Sequence, residues 1–323
     1  VVTIGDGVTP PPDTPDLVHI FNATRLYDSY SAARWCVARG IPYVFTPIWH
    51  ALADLRRYYR WRYGTRRFPL IAYLGLKELY HNRDRIRDPR LPTVAVRWRS
   101  CARWVFDHAA LLAPNSPSEA NTYTDELGLV PRATQVIPYA VSLGDRYPRQ
   151  ERRVVIVAGR VEPRKNTLGV IQAFRSSPAL GGHALWVIGA PNPRHRAYVR
   201  AVQAATDGRR IHWFGALPHD ALQSRFAQAK GVVLASFFET AGLVGLEGLY
   251  QGANAVITRY TNADFYYGDH VIYCDPYDAA SIQAGLERVV REPPRYPEAW
   301  FQSFSWATVG ETTRASYHRV VRA

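Results

Sequence analysis

The sequence predicts an α/β chain built from two Rossmann-like domains, and three observations carry that prediction. Short apolar runs of strand character alternate with helical stretches, the pattern of parallel sheets covered on both faces. Residues 138–153, with prolines and charges and little periodicity, separate two such series. The length, 323 residues, is sufficient for two domains that each bury a core.

In the first half the strand runs lie at 16–20, 43–46 and 111–113, with helical stretches at 29–39 and 94–108 between them. The second half is more regular. Its six strand runs fall at 154–158, 185–188, 212–214, 232–235, 255–257 and 271–274, and helices are expected around 168–175, 195–205, 219–229, 244–251 and 279–291. The resulting division is 1–140, 141–305 and a terminal helix at 306–323 that packs back toward the first domain. In open parallel sheets ligands bind at the carboxyl ends of the strands, so the function is expected in the loops that follow strands, around one cleft between the two domains.

Composition excludes several classes. With 47% hydrophobic, 13% aromatic and 21% charged residues the chain is globular, not disordered. No apolar run approaches the roughly 18–20 residues of a membrane-spanning helix. Cys36, Cys101 and Cys274 are scattered and odd in number, which indicates buried thiols and neither a disulfide framework nor a zinc site. The net charge is +13, and lysine occurs only at Lys77, Lys165 and Lys230, so the cations are nearly all arginine. Arginine suits phosphates, anionic membranes and nucleic acid, although a GC-rich coding sequence has the same effect on composition. The chain starts at Val1 and holds no methionine, so a preceding segment is expected.

Two loops carry the chemistry. After the run 154–158 comes Gly159-Arg160-Val161-Glu162-Pro163-Arg164-Lys165-Asn166, leading straight into a helix. A glycine turn with cations ahead of a helix N-terminus gathers N–H groups, a positive dipole end and charged side chains on one point, which is an anion site. After the run 232–235 come Glu239 and Glu247, with seven residues between them. On one helix they would stand about 12 Å apart along the axis, too far for the roughly 5 Å carboxylate pair of a retaining glycosidase. The better arrangement places Glu239 in the loop, starts the helix near Gly242 and sets Glu247 about one turn inside it. A carboxylate then meets sugar hydroxyls at each end of an elongated ligand, and the N–H groups of Gly242 and Leu243 face a diphosphate between them.

These residues resemble a known family. Gly159-Arg160 with Lys165, the E(x)7E pair Glu239 and Glu247, and the segment Gly268-Asp269-His270 to Cys274-Asp275-Pro276 look like the donor half of family 4 glycosyltransferases of the GT-B fold. The likeness is continuous from Val154 to about Val290. It is looser in the first half, at 17–22, 40–44, Pro114-Asn115-Ser116 and 137–141, and returns at Phe304-Ser305-Trp306. The resemblance implies a retaining transfer from a nucleotide-diphosphate sugar to a lipid-linked or carbohydrate acceptor in surface polysaccharide or glycolipid synthesis. It implies no cofactor and no divalent metal, and a cytoplasmic protein, free or peripheral on the inner face of the cell membrane. Under it Arg160 and Lys165 bind the diphosphate, Glu239 holds donor-sugar hydroxyls, Glu247 binds the ribose, and the backbone of Gly159, Gly242, Leu243 and Leu217 lines the donor. His50 is the candidate acceptor-side histidine.

The chain departs from the family at Ala241, where an aromatic residue is common, and at Tyr139-Ala140, which replaces an asparagine-glycine pair. The family's opening strand and glycine-rich loop have no counterpart before Asp16, where Pro10-Pro11-Pro12 stands, so the first domain is expected to be incomplete. A nucleotide-sugar-binding chain without catalysis is the alternative this raises. The basic, aromatic segment with Arg56, Arg57, Arg60, Trp61 and Arg62 reads as an anionic-membrane patch or as plain solvated helix surface. Nucleic-acid binding leaves the donor pattern unexplained and is not expected.

Overall fold

Apolar runs of two to five residues form the strands of two all-parallel sheets in the computed structural model, which describes residues 3–6, 9, 13–142, 144–148, 153–260 and 262–322. The Pro10-Pro11-Pro12 run lies outside the described residues. The chain divides into two units: Val1–Pro138 together with Ala307–Ala323, and Tyr139–Trp306.

The first unit holds β1 (Val18–Phe21), α1 (Leu26–Ala38), β2 (Tyr43–Thr46), α2 (Leu52–Tyr63), α3 (Leu70–His81), α4 (Arg90–Val96), α5 (Trp98–Asp107), β3 (Leu111–Leu112) and α6 (Pro117–Leu127). The sheet order is β1-β2-β3, with Val18 opposite Tyr43 and Val44 opposite Leu111. Every residue of the central strand β2 is buried, as a strand covered on both faces requires. The helical stretch expected at 94–108 is in fact two helices. Arg97 leaves helical geometry between them, with φ −110° and ψ 36°. Packing explains the break: α4 lies against α3 so closely that a methyl group on Gly75 would strike the backbone of Ala95, whereas α5 turns Val105 and Phe106 into the core beside β2. The strand expected from residue 16 begins at Val18.

The second unit runs β4 (Val154–Ala158), α7 (Thr167–Ser176), β5 (Ala184–Ile188), α8 (Arg196–Ala205), β6 (Ile211–Trp213), α9 (His219–Ala227), β7 (Gly231–Leu234), α10 (Leu243–Tyr250), β8 (Asn254–Thr258), α11 (Ala263–Tyr267), β9 (Ile272–Cys274) and α12 (Ala279–Arg291). All six expected strands form, in the order β6-β5-β4-β7-β8-β9. Val155, Val157 and Val233 project to one face and meet Val170 and Phe174 of α7 with Ile282, Leu286 and Val289 of α12. On the other face Ile156 and Val232 meet Phe226, and Ile257 meets Leu246, Leu249 and Tyr267. Each such side chain contributes about 1.5–3 kcal/mol by leaving water. The order reverses between β4 and β7, so the carboxyl ends of these two strands are the topological switch point, where open α/β sheets bind ligands. The three cysteines are buried and free.

The last helix, α13 (Trp306–Arg322), carries Tyr317 back to the first unit. Its hydroxyl lies 2.5 Å from Nδ1 of His19 on β1, and Nε2 of the same ring is 2.8 Å from Oγ1 of Thr46 on β2. Burial pushes the His19 pKa down to about 4. The unfolded chain therefore takes up this proton first as pH falls, and stability is lost from about pH 6.5 down to about pH 4, by up to about 3 kcal/mol. Urea midpoints for the parent and His19→Gln should show the parent losing the greater stability across that window; equal losses would show that His19 is not held neutral.

Candidate functional site

At the switch point the two loops are brought together by opposite charge. β4 ends at Ala158 and the chain turns through Gly159 and the exposed Arg160. A short 3-10 turn, Pro163–Lys165, then separates the loop from α7, and Asn166 adopts φ 55° before the helix begins. The expected direct entry into a helix is thus corrected: the turn intervenes, the Leu168 N–H of α7 donates to the Tyr198 hydroxyl at 3.0 Å, and Lys165 is brought to the loop after β7.

That loop is held by Glu239. Its backbone N–H donates to the Tyr260 carbonyl at 3.1 Å, and its carboxylate forms an ion pair with Lys165. Arg164 approaches the same carboxylate at 3.4 Å, and the Ser236 hydroxyl lies 3.3 Å from it. Arg164 also pairs with Glu162 at 3.1 Å and donates to the Phe238 carbonyl at 3.2 Å, while Asn192 donates to Glu162 at 2.6 Å. Two cations and two carboxylates thus alternate across the strand ends. Burial pulls the Lys165 pKa below the ordinary lysine range, outweighing the attraction of Glu239.

Beyond Glu239, Gly242 caps α10 with φ 66° and ψ 46°, a left-handed conformation that costs a side-chain-bearing residue roughly 1–2 kcal/mol. The fully buried Tyr267 donates its hydroxyl to the Gly242 carbonyl at 2.5 Å. No side chain caps this helix, and the N–H groups of Leu243 and Val244 meet no acceptor among the described residues. Glu247 follows one turn later, half-buried, and burial raises its carboxyl pKa against a weaker opposing effect of His219. Leu217, after β6, packs its side chain against the cluster of Ile188 and Phe226.

The structure therefore gathers Gly159, Lys165, Glu239, Gly242 and Leu243 in one stretch of the second unit. The aliphatic end of Lys165 lies against Gly159, and Glu239 lies against Gly242. His50 lies in the first unit, on the loop between β2 and α2. That loop is constrained: Ile48 holds φ 53°, unusual for a β-branched residue, and Trp49 donates its backbone N–H to Glu119 and its Nε1 to Glu126 at 2.7 Å. Burial pushes the Glu119 carboxyl up to about 7. Sequence reasoning assigned no role to Arg164, whose adjacency to Lys165 was the available signal. It also missed Ser236, Glu162, Asn192 and Tyr267, which carry none.

The fold is of the α/β GT-B type with parallel sheets. Sucrose-phosphate synthase from Thermosynechococcus elongatus superimposes with TM-score 0.68 over 94% of this chain and 73% of that one, at 17% identity. An α,α-trehalose-phosphate synthase (UDP-forming) from Burkholderia xenovorans, in complex with glucose-6-phosphate, gives 0.60 over 95% and 73% at 14% identity. A lipopolysaccharide outer core galactosyltransferase gives 0.60 over 94% and 75%, also at 14%. Residues 145–301, which include both loops, match the family described as Glycosyl transferases group 1. The O-antigen chain mannosyltransferase B of Escherichia coli is 29% identical over 137 residues, 40% of this chain; the match spans 34% of that relative's length.

Proposed function

We propose that this protein is a retaining family 4 glycosyltransferase that moves a sugar from a nucleotide-diphosphate sugar to a lipid-linked or carbohydrate acceptor, in the synthesis of a surface polysaccharide or glycolipid. The observation that carries the reading is the contact of Lys165 with Glu239 at the β4–β7 switch point, beside the uncapped start of α10. The diphosphate lies against the N–H groups of Leu243 and Val244, with Arg160 and Lys165 as its cations. Those two side chains supply the charge that a divalent metal supplies elsewhere, so none is required. Arg164 keeps Glu239 anionic and in place when Lys165 turns to the phosphate. Glu239 then accepts from the donor-sugar hydroxyls, Glu247 from the ribose, and the backbone at Leu217 flanks the base.

In the transfer the bond from the anomeric carbon to the diphosphate oxygen breaks, and its electron pair stays on that oxygen. The acceptor oxygen bonds to the same face of the carbon, and the acceptor's proton passes to the departing diphosphate. Negative charge grows on the leaving group, where each preorganised donor is worth about 3–4 kcal/mol. His50 is assigned to the acceptor side.

Membrane docking belongs to the same reading. On α2, Leu52, Leu55 and Tyr58 are buried while Arg56, Arg57, Arg60, Trp61 and Arg62 are exposed. Each arginine near an anionic leaflet contributes about 1 kcal/mol. No helix among the described residues is long and apolar enough to cross a membrane.

One experiment tests these statements together. Full chain is mixed with radiolabelled nucleotide sugars and lipid-linked acceptors in anionic or neutral vesicles, with a thermal-shift panel of nucleoside diphosphates alongside. The expected result is one stabilising nucleoside diphosphate, transfer without added metal, and salt-sensitive sedimentation with anionic vesicles only. No stabilisation and no transfer would sink the donor reading; equal sedimentation with both vesicles would sink the docking.

A further inference from the structure

A cleft of about 270 Å³ opens in the second unit, away from Lys165 and Glu239. Tyr250, at the end of α10, and Gln251 form one side of it, facing Arg146, Tyr296 and Glu298. α10 starts three residues after Glu239 and runs about 12 Å before the chain turns into the amino end of β8, so the cleft and the Lys165–Glu239 contact lie at opposite ends of the sheet. The parts of the cleft are fixed by the core behind them. Tyr250 and Tyr296 both set their rings edge-on to the buried Phe301, with centroids 5.3 and 5.0 Å away. Residues 144–147 are fastened to the helix end: the Tyr250 hydroxyl donates to the Gly144 carbonyl at 3.1 Å, Gln251 Nε2 to the Asp145 carbonyl at 3.0 Å, and the Tyr147 N–H to Gln251 Oε1 at 3.2 Å. Behind Gln251 stands Gln223, 3% exposed, whose Oε1 accepts from Gln251 Nε2 at 3.2 Å. Its own Nε2 is buried without a hydrogen-bond partner among the described residues, and such a donor calls for a water or a ligand oxygen.

We infer that this cleft is a second sugar-binding site, which takes one uncharged pyranose ring, free or as a residue of a glycan, between the Arg146–Glu298 pair and the Tyr296 ring. The inference goes beyond the donor reading and does not rest on it. The ion pair decides the charge of the ligand. The Arg146 guanidinium lies over the Tyr250 ring, 4.5 Å from its centroid, and its two terminal nitrogens meet the two Glu298 oxygens at 2.9 and 2.5 Å. A phosphate brought to Arg146 would meet the Glu298 carboxylate at close range or have to displace it. A diol has no such conflict. The guanidinium carries five N–H groups and the carboxylate about four acceptor sites, and their mutual contact uses two of each, so one sugar hydroxyl can accept from Arg146 while its neighbour donates to Glu298. The apolar face of a pyranose suits an aromatic wall such as Tyr296, which presents carbon and a polar edge together. The volume falls just under the roughly 300–1,000 Å³ of pockets that hold drug-sized ligands, which limits the occupant to a single ring.

Saturation-transfer NMR on the full chain tests this, with the methyl α-pyranosides of glucose, galactose and mannose, their trisaccharides, and mannitol, which has the hydroxyls but no ring. The expected result is a saturable signal from at least one methyl pyranoside and at least threefold weaker binding of mannitol. Arg146→Ala and Glu298→Ala, both at solvent-exposed side chains where the fold should hold, should each weaken the pyranoside at least fivefold. Glu239→Gln should leave the signal in place. A trisaccharide that binds more tightly than its methyl pyranoside marks the ligand as a residue of a glycan, and equal binding marks it as a free sugar. No saturable signal from any pyranoside, mannitol binding equally, or affinity unchanged in both cleft variants would overturn the inference. So would a signal lost in Glu239→Gln and kept in the cleft variants, which puts the sugar at the other end of the sheet. The nucleoside diphosphate thermal shift reads that other end, so the donor reading and the cleft stand or fall separately.

Discussion

Replacing Lys165 by alanine is expected to lower sugar transfer by about two to three orders of magnitude, the effect of removing one preorganised donor from a developing oxyanion. Lys165 is paired with Glu239 and half-buried against Gly159, whereas Arg160 is exposed. A charge held in a partly desolvated position is stronger toward a leaving group than one in open water. Nucleoside diphosphate affinity should also fall, by about tenfold or more, as expected for one lost charge-assisted hydrogen bond. Arg164 remains on Glu239 in the variant, so the fold should hold and melting should move little. Arg160→Ala should cost less than Lys165→Ala. A Lys165→Ala chain with transfer within threefold of the parent would remove Lys165 from the mechanism.

Gly189→Ala is expected to be the most damaging small change in the second unit. Gly189 directly follows β5 with φ 152°, and a Cβ there would lie 1.9 Å from the Gly159 carbonyl oxygen and 2.6 Å from its carbon. Those atoms are backbone, fixed by the Gly159 N–H donating to Ile188 at 2.9 Å and by the Trp213 Nε1 donating to Gly189 at 2.9 Å. No rotamer can relieve the clash, so β5 must part from β4 just where the loop that carries Lys165 begins. A loss of about 3 kcal/mol follows, or roughly 6–12 °C in melting temperature. Nucleoside diphosphate binding should weaken with it. Gly182→Ala, with open space around its Cβ, is the control. Equal melting of the two variants would show that the strand ends yield more easily than their hydrogen bonds indicate.

Much of the second unit was legible because its signals are local. Val154–Ala158 and Ala279–Arg291 announce themselves by run length and period, and the loop cations sit within seven residues of the strand that carries them. What escaped depends on long-range packing. Arg97 is an ordinary helix former, and only the different partners of α4 and α5 end one helix there and start another. Leu70–His81 has an apolar pattern with Leu76 and Tyr80 exposed, which blurs its face. Arg164 meets Glu239 across 75 residues of sequence, and Tyr267 reaches Gly242 across 25; no spacing rule reports such pairs. Glu78 of α3 is equally silent, since it accepts from the Leu26 N–H at the start of α1, 52 residues away.

The return of α13 to the first unit has a consequence for how the chain is made. Residues 139–306 are contiguous, whereas the first unit draws on both 1–138 and 307–323, and His19 must wait for Tyr317, 298 positions later. During synthesis from the N-terminus the second unit can reach its final packing while the first still lacks its closing helix. The contiguous second unit is therefore older than the completed first, and a stop shortly before residue 317 would leave β1 without the hydroxyl that faces His19.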